Sequence, residues 1–131
     1  MIFIDSNIPM YLIGAEHPNK HIARRIVDTA ISHRERLVTD AEVFQEIMHR
    51  YGAIQRREAI QPAFDLLGQL VDAVLPIELA TVEQAHRIML GHGLGARDAV
   101  HIAAMEQAAI REVMSFDADY DRYPGVRRLS S

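Results

Sequence analysis

The stretch Ile2-Phe3-Ile4-Asp5-Ser6-Asn7 decides the fold. Its first three residues are all apolar, and an acid and two small polar residues follow them directly. The short apolar run favours a buried strand, and Ser6-Asn7 favours a turn directly after it. Pro9 suits the first turn of a helix covering Ile8 to Ile13, which Gly14 ends. The chain is therefore expected to begin with a strand, a turn and a helix.

Further extended segments follow, and helical periodicity separates them. The extended segments are Leu37-Val38-Thr39, Leu75-Pro76-Ile77, Glu112 to Phe116 and Val126 to Leu129. Helices are predicted from near Pro18, behind Thr39, over residues 56 to 74, behind Thr81, and over Ala96 to Ala109. This alternation predicts one domain over residues 1–131, a three-layer α/β/α sandwich with a mainly parallel sheet of about five short strands.

The sequence also predicts how two of these helices are capped and which of their faces are buried. Thr39 and Glu42 have the spacing of a capping box, and Thr81 is expected to cap a later helix. The helix behind Thr39 should bury one apolar stripe, and Glu46 lies nearly opposite that stripe. The inward residues are expected to be Phe44, Ile47, Met48 and Tyr51 in this helix, and Val82, Ala85, Ile88 and Met89 in the later one. The segment from Ala96 is apolar nearly all round, so it should be sandwiched.

Composition excludes several classes of protein. The absence of cysteine removes disulfides, zinc–cysteine sites and thiol nucleophiles, and it fits a reducing cytosol. No apolar run approaches the ~20 residues that span a bilayer, and the N-terminus does not resemble a signal peptide. A cytoplasmic protein without a membrane partner is therefore expected. The net charge of −4 argues against a simple polyanion-binding surface, although bound cations would offset it.

Four acids stand where the predicted fold would gather them. Asp5 ends the first strand and Asp117 ends the fourth, while Asp98 opens the buried helix and Glu46 lies behind the second strand. Ligands collect outside the carboxyl ends of parallel strands. Each acid alone has an ordinary explanation as a turn, cap or surface residue. Together they suit Mg²⁺ or Mn²⁺, which would activate water for in-line displacement at phosphorus.

Other chemistries lack their motifs. There is no HExxH zinc motif, no GxSxG elbow and no phosphate-binding GxxxxGK[ST] loop. Gly91, Gly93 and Gly95 are interpreted as a flexible loop before the Asp98 helix. His101, one turn after Asp98, is expected to be a structural histidine at the edge of the core, with a catalytic role as the alternative.

Four segments resemble one family in the correct order. Ile2 to Asn7 resembles the opening hydrophobic-Asp-[Ser/Thr]-Asn of PIN domains, and Val43-Phe44-Gln45-Glu46-Ile47 resembles their helix with a single acidic ligand. Ala96-Arg97-Asp98-Ala99-Val100-His101-Ile102-Ala103 is similar to the Arg-Asp-Ala-x-His-x-Ala stretch of VapC-like toxins. Ser115 to Tyr120, continuing through Val126, resembles the closing segment. The resemblance spans the whole chain.

This resemblance implies a Mg²⁺- or Mn²⁺-dependent endoribonuclease, usually the toxin of a bacterial toxin–antitoxin pair. Its acidic quartet, catalytic and metal-binding, matches Asp5, Glu46, Asp98 and Asp117. Ser6, Asn7, Ser115 and Asp119 match supporting positions, and Arg97 is a candidate for phosphate contact. The resemblance also implies an RNA substrate, a homodimer, and an antitoxin whose tail enters the acidic groove. Asp40 stands where many relatives have a small hydroxyl residue, and Ser115 replaces a common Thr.

Alternative functions remain open at this point. A haloacid-dehalogenase-like phosphatase also uses an Asp after its first strand, but it needs a second Asp where this chain has Asn7. It also needs a positioned lysine, and the chain has only Lys20. A PIN nuclease could mature RNA without an antitoxin, and a regulatory module could bind metal through these acids without turnover.

Overall fold

The computed structural model describes all residues from Met1 to Ser131. Five strands and six α-helices alternate along the chain, with two short 3₁₀ helices at Arg57–Ala59 and Ala118–Arg122. The strands are β1 (Ile2–Ile4), β2 (Leu37–Asp40), β3 (Ala73–Leu75), β4 (Glu112–Met114) and β5 (Arg127–Leu129). The helices are α1 (Asn7–Ile13), α2 (Pro18–Ser32), α3 (Ala41–Ala53), α4 (Ile60–Leu70), α5 (Leu79–His92) and α6 (Ala96–Gln107).

The five strands form one entirely parallel sheet in the order β3-β2-β1-β4-β5. The first strand lies at its centre, and Ile2, Phe3 and Ile4 are all buried. A parallel sheet needs cover on both faces, which explains why this strand is a continuous apolar run. The predicted three-layer α/β architecture with a parallel sheet of short strands is confirmed.

Helix α6 is the most deeply buried helix. Its segment from Ile102 to Met105 is buried, and Ala99 and His101 are fully buried as well. It packs closely against α5 and also contacts α3. The prediction that this apolar helix is sandwiched is therefore confirmed. No helix of the structure has both the length and the apolar character needed to cross a membrane.

The predicted Thr39–Glu42 capping box is wrong. Thr39 is still part of β2, and its hydroxyl donates a hydrogen bond of 2.8 Å to the Ile4 carbonyl. Asp40 is the N-cap of α3 instead, and its Oδ1 accepts a 2.9 Å hydrogen bond from the Val43 amide. An N-cap residue needs an extended backbone and a side chain that accepts a hydrogen bond, and Asp40 has both.

The helix predicted over residues 56 to 74 is also shorter than expected. It ends at Leu70, and the third strand begins at Ala73. The Asp72 amide donates to the Leu37 carbonyl and its carboxylate accepts from the Leu37 amide, which fastens this segment beside β2. Because β3 is an edge strand, its Val74 is 46% exposed.

Several smaller predictions need correction. Met48 and Val82, both expected to point inward, are about half exposed. The later helix is capped by Glu78, whose amide donates to the Thr81 hydroxyl in its first turn. Gly91 lies inside α5, and Gly93 ends that helix in the left-handed conformation with φ of 64°. The strands β4 and β5 and helix α6 are one or two residues shorter than expected at one end.

Candidate active site

The strand order creates a switch point beside β1. From β1 the chain builds β2 and β3 on one side, and it then returns to place β4 and β5 on the other. Loops after β1 and β4 therefore diverge and leave a crevice at the carboxyl edge, where ligands bind in open parallel sheets. Asp5 follows β1 directly, and Asp117 follows β4 after two residues. Both acids thus flank the crevice.

A hydroxyl from the segment after β4 holds Asp5. Asp5 is 3% exposed, and its Oδ2 accepts a 2.6 Å hydrogen bond from the Ser115 hydroxyl. Its Oδ1 accepts a 2.8 Å bond from the Ser6 amide. Burial raises the pKa of the Asp5 carboxyl, and the nearby Glu46 carboxylate raises it further, although His101 and these hydrogen bonds act in the opposite direction. Asp5 is a fixed, buried ligand candidate.

Asn7 and Ser115 join the two sides of the crevice. The Asn7 amide nitrogen donates to the Ser115 hydroxyl at 3.1 Å, and the Phe116 amide donates to the Asn7 oxygen at 3.3 Å. The Asp117 amide also donates to the Ser115 hydroxyl, at 3.0 Å. The residues expected to support the site therefore lock the turn after β1 to the turn after β4.

Glu46 reaches the same centre from α3. It is 7% exposed and shares the buried face of α3 with Val43 and Ile47, so its expected position opposite the apolar face is wrong. The Ser6 hydroxyl donates to its Oε1 at 2.5 Å. Burial opposes its ionisation, but the nearby His101 ring and the hydrogen bond from Ser6 outweigh burial and lower the pKa of Glu46 to about 2. Glu46 is thus an ionised carboxylate within the site.

Asp98, Asp117 and Asp119 form the second half of the cluster. One carboxylate oxygen from each lies within 4.8 Å of the others. Asp117 also caps the following 3₁₀ helix, and its Oδ1 accepts from the Asp119 amide at 2.9 Å. Burial, then the adjacent Asp117 and then Asp5, raise the pKa of Asp98 to about 8. Crowding of this kind is relieved when a cation binds.

The donor set fits a hard divalent cation. Asp98, Asp117 and Asp119 offer only oxygen atoms, and Asp5 and Glu46 supply two carboxylates to a second group that also contains His101. Oxygen ligands are the preference of Mg²⁺ and Mn²⁺. The crowding of Asp98 against Asp117, which raises the pKa of Asp98, would be relieved by a bound cation. Asp5 and Glu46 lie in one group and Asp98 and Asp117 in the other, and the charge of Asp5 acts on Asp98, so the two groups are neighbours.

A buried histidine and its acidic partner were not included among the site residues predicted from the sequence. His101 is fully buried, and its Nδ1 is 2.7 Å from Asp40 Oδ2. Its Nε2 lies 3.9 Å from Asp5 Oδ1 and 3.8 Å from Glu46 Oε1, which is too long for hydrogen bonds. Burial lowers the pKa of His101, but Asp40 and Glu46 outweigh it and raise the pKa well above its usual value.

Two features of the sequence could have located this pair. His101 follows Asp98 by one helical turn, so both residues face the same side of α6. Asp40 is the last residue of β2, and Asp5 directly follows β1. The two strands are parallel neighbours, so both acids lie at the same edge of the sheet. The interpretation of His101 as a histidine bonded within the core agrees with its contacts, and those contacts place it directly behind the acids.

Arginines line the exposed side of the cluster. Arg97 lies with its guanidinium 4.0 Å from Glu46 Oε2 and 3.8 Å from Glu42 Oε1. Arg50, one turn after Glu46, places its Nε 3.9 Å from the same Oε2 atom. Both side chains are at least one-third exposed, so each is free to approach an anion. Arg97 is thus at the rim, where contact with a phosphate was expected.

Comparisons with known proteins agree with this geometry. The family model described as PIN domain matches residues 2–126. Ribonuclease VapC13 of Mycobacterium tuberculosis is 59% identical over 131 residues, covering 99% of this chain and all of that protein. The crystal structure of VapC20 from the same organism, a sarcin-ricin loop cleaving toxin, superposes with a TM-score of 0.78 at 20% identity over 95% of both chains. A toxin–antitoxin complex from Klebsiella pneumoniae superposes with a TM-score of 0.70 at 14% identity, over 97% of this chain and 96% of that one.

Proposed function

This chain belongs to the PIN-domain family, and we propose that it is a metal-dependent endoribonuclease that acts as the toxin of a toxin–antitoxin pair. The observation that carries the proposal is a pair of neighbouring acidic groups, Asp5 with Glu46 and Asp98 with Asp117, at the switch point of the sheet. The identity to a ribonuclease over nearly the whole chain supports the same activity. The similar ribonuclease indicates the class of reaction, and the acidic groups offer ligands for the cation that this reaction needs.

The proposed cofactor is Mg²⁺ or Mn²⁺, held by Asp5, Asp98 and Asp117 with Glu46. Such an ion, when bound, lowers the pKa of water and stabilises charge that develops on a phosphodiester during hydrolysis. Burial and the crowding of Asp98 against Asp117 raise the pKa of Asp98 to about 8 in the metal-free protein. A proton that this pair retains would be released when a cation binds.

The remaining residues keep the acids in position. Ser115 fixes Asp5 through its hydroxyl, and Ser6 fixes Glu46 in the same way. These bonds leave little freedom in either carboxylate, so the cost of ordering them is met during folding. Arg97 at the rim is proposed to contact a phosphate of the RNA, as its guanidinium suits bidentate bonds to phosphate oxygens.

The proposed protein partners are an antitoxin and a second copy of this chain. The similar structure from Klebsiella pneumoniae is a toxin–antitoxin complex, and an acidic crevice suits a basic segment of such a partner. Leu79, Val82 and Leu90 lie on one exposed face of α5, and a second copy would remove them from water. We also propose that the protein acts in the cytoplasm.

The first test is cleavage of total cellular RNA by the purified protein, with Mg²⁺ or Mn²⁺ and with EDTA. Discrete fragments are expected only with metal, and Asp98→Asn should abolish them while retaining the fold. Asp28→Asn is the matched control, because Asp28 is an exposed acid on α2 outside the cluster. Full cleavage by Asp98→Asn would overturn the proposal, and metal binding without any cleavage would favour a non-catalytic module.

A further inference from the structure

An aromatic cavity of about 590 Å³ opens beside the acid cluster. Tyr11, Tyr51 and Phe116 line it together with Arg50. Asn7 and Asp117 belong both to this cavity and to the network around the acids. A second cavity, of about 350 Å³, shares no residue with the acid cluster. The aromatic cavity is therefore the one continuous with the site.

We propose that this cavity is a subsite for one unpaired nucleobase of the RNA, next to the phosphate that is cleaved. The proposal rests on the nuclease function proposed above and adds to it a binding site for the base beside the cleaved phosphate. A nucleotide whose phosphate lies at the acids would carry its base only a few ångströms away, and the cavity begins at Asp117. The base would enter as a flat, uncharged group.

The rings of the cavity are held in place yet accessible. Tyr11 meets Phe116 edge-on, with centroids 5.2 Å apart and planes at 76°. It also packs against His17 at 5.0 Å with an angle of 37°. Tyr11 and Phe116 are both only partly buried, so surface remains for a ligand. Rings fixed by their neighbours lose little entropy when a base stacks on them, and single-stranded RNA is bound in this manner.

The charges favour a neutral ligand with a phosphate at one end. Glu16 and Asp117 line the cavity and would repel a second phosphate inside it. Arg50 lines the side towards the acids, where its Nε is 3.9 Å from Glu46 and its side chain is 53% exposed. It would contact a backbone phosphate there, and it would also oppose a cationic side chain. His17 uses Nδ1 to accept from the Asn19 amide, which leaves Nε2 for the edge of a base.

A paired base cannot use this subsite. Bases in a duplex are stacked on both faces, and a protein reaches them by stacking only after they are unpaired or splayed out. The subsite therefore accepts a base only from a nucleotide that is unpaired at the cleaved phosphate.

The test measures binding without cleavage. The probes are the four nucleoside 5′-monophosphates with ribose 5-phosphate as the base-free control, titrated in Mg²⁺ against the full chain by calorimetry or NMR. At least one nucleotide should bind tenfold or more tightly than ribose 5-phosphate. A mixed-sequence single-stranded oligoribonucleotide should displace it from an Asp98→Asn protein, and the perfectly paired duplex should not.

Substitutions locate the binding in the cavity. Tyr11→Leu should weaken nucleotide binding by roughly 5- to 150-fold, the measured range for loss of one base–aromatic stack, and should leave ribose 5-phosphate unaffected. Tyr11→Phe should retain the affinity, which separates loss of stacking from loss of fold. Tyr123→Leu is the matched control, because Tyr123 packs on His92 and does not line the cavity.

Four outcomes would overturn the subsite. Equal binding of nucleotides and ribose 5-phosphate would show that no base is bound, and unchanged affinity in Tyr11→Leu would place the base elsewhere. If Tyr11→Leu weakens only the antitoxin complex, the cavity is a protein-binding site. RNA cleavage without base-dependent binding would reject the subsite alone. Base-dependent binding that Tyr11→Leu abolishes, without RNA cleavage, would support the cavity and reject the nuclease function.

Discussion

Replacing Asp98 by Asn should stabilise the metal-free protein although it removes activity. The Asp98 pKa is raised from 3.8 to about 8 by burial and by Asp117 and Asp5. In the unfolded chain this carboxyl ionises near pH 4, while the folded protein retains the proton until about pH 8. The folded state therefore binds more protons between these values, and its stability falls as the pH rises through that window. An Asn side chain has no such cost.

The size of the effect follows from the pKa. Each unit of difference corresponds to about 1.4 kcal/mol, so at pH 7 the full displacement would represent about 4 kcal/mol. Asp98 is partly exposed, and solvent screening reduces this to about 2 kcal/mol. For a chain of this length that gain should raise the melting temperature by roughly 5–10 °C.

The assay is thermal unfolding in EDTA at pH 5, 7 and 8, compared between the wild type and Asp98→Asn. The variant should melt higher, and its advantage should grow with pH across this range. Mn²⁺ should raise the melting temperature of the wild type and have little effect on the variant. A variant that melts at or below the wild-type temperature in EDTA at pH 8 would refute the argument that carboxylate crowding destabilises the metal-free site.

Two other substitutions test residues that are not among the proposed metal ligands. Asp40→Asn should lower the free energy of unfolding by about 3 kcal/mol in urea titrations, because it leaves buried His101 without its anionic partner. Asn can still cap α3, so loss of the cap does not contribute. An unchanged unfolding midpoint would contradict the Asp40–His101 pairing. Gly93→Ala should cost about 1 kcal/mol in the same assay, since φ is 64° and an added Cβ meets no atom within 4 Å. Gly91→Ala, inside α5, is its control and should instead stabilise; equal effects of the two would exclude a backbone cause.

Most strands and helices were predictable because their signals are local. Ile2-Phe3-Ile4 forms a buried strand because the run is wholly apolar, and the apolar helix that begins at Ala96 is buried between other elements as expected. The errors occurred where a tertiary contact prevails over a local pattern. Asp72 bonds to Leu37, which ends the helix over residues 60–70 and begins an edge strand. No spacing within the segment shows this contact.

The choice of the helix cap illustrates the same limit. Thr39 and Asp40 are both good capping residues, and the sequence pattern with Glu42 favoured Thr39. Thr39 is unavailable because β2 pairs with β1 and its hydroxyl bonds to the Ile4 carbonyl. Asp40 then both caps α3 and meets His101, which no local pattern predicts.

By itself the sequence determined the alternation of strands and helices, the four acids at the ends of those elements, and the similarity to one nuclease family. These properties follow from residue type and short-range spacing. The tertiary structure alone decided that Ser115 holds Asp5 across 110 positions, that Glu46 turns inward and that His101 lies behind the acids. Strand order and the rotation of each packed helix set these contacts, and both depend on how the whole core packs rather than on any local run of residues.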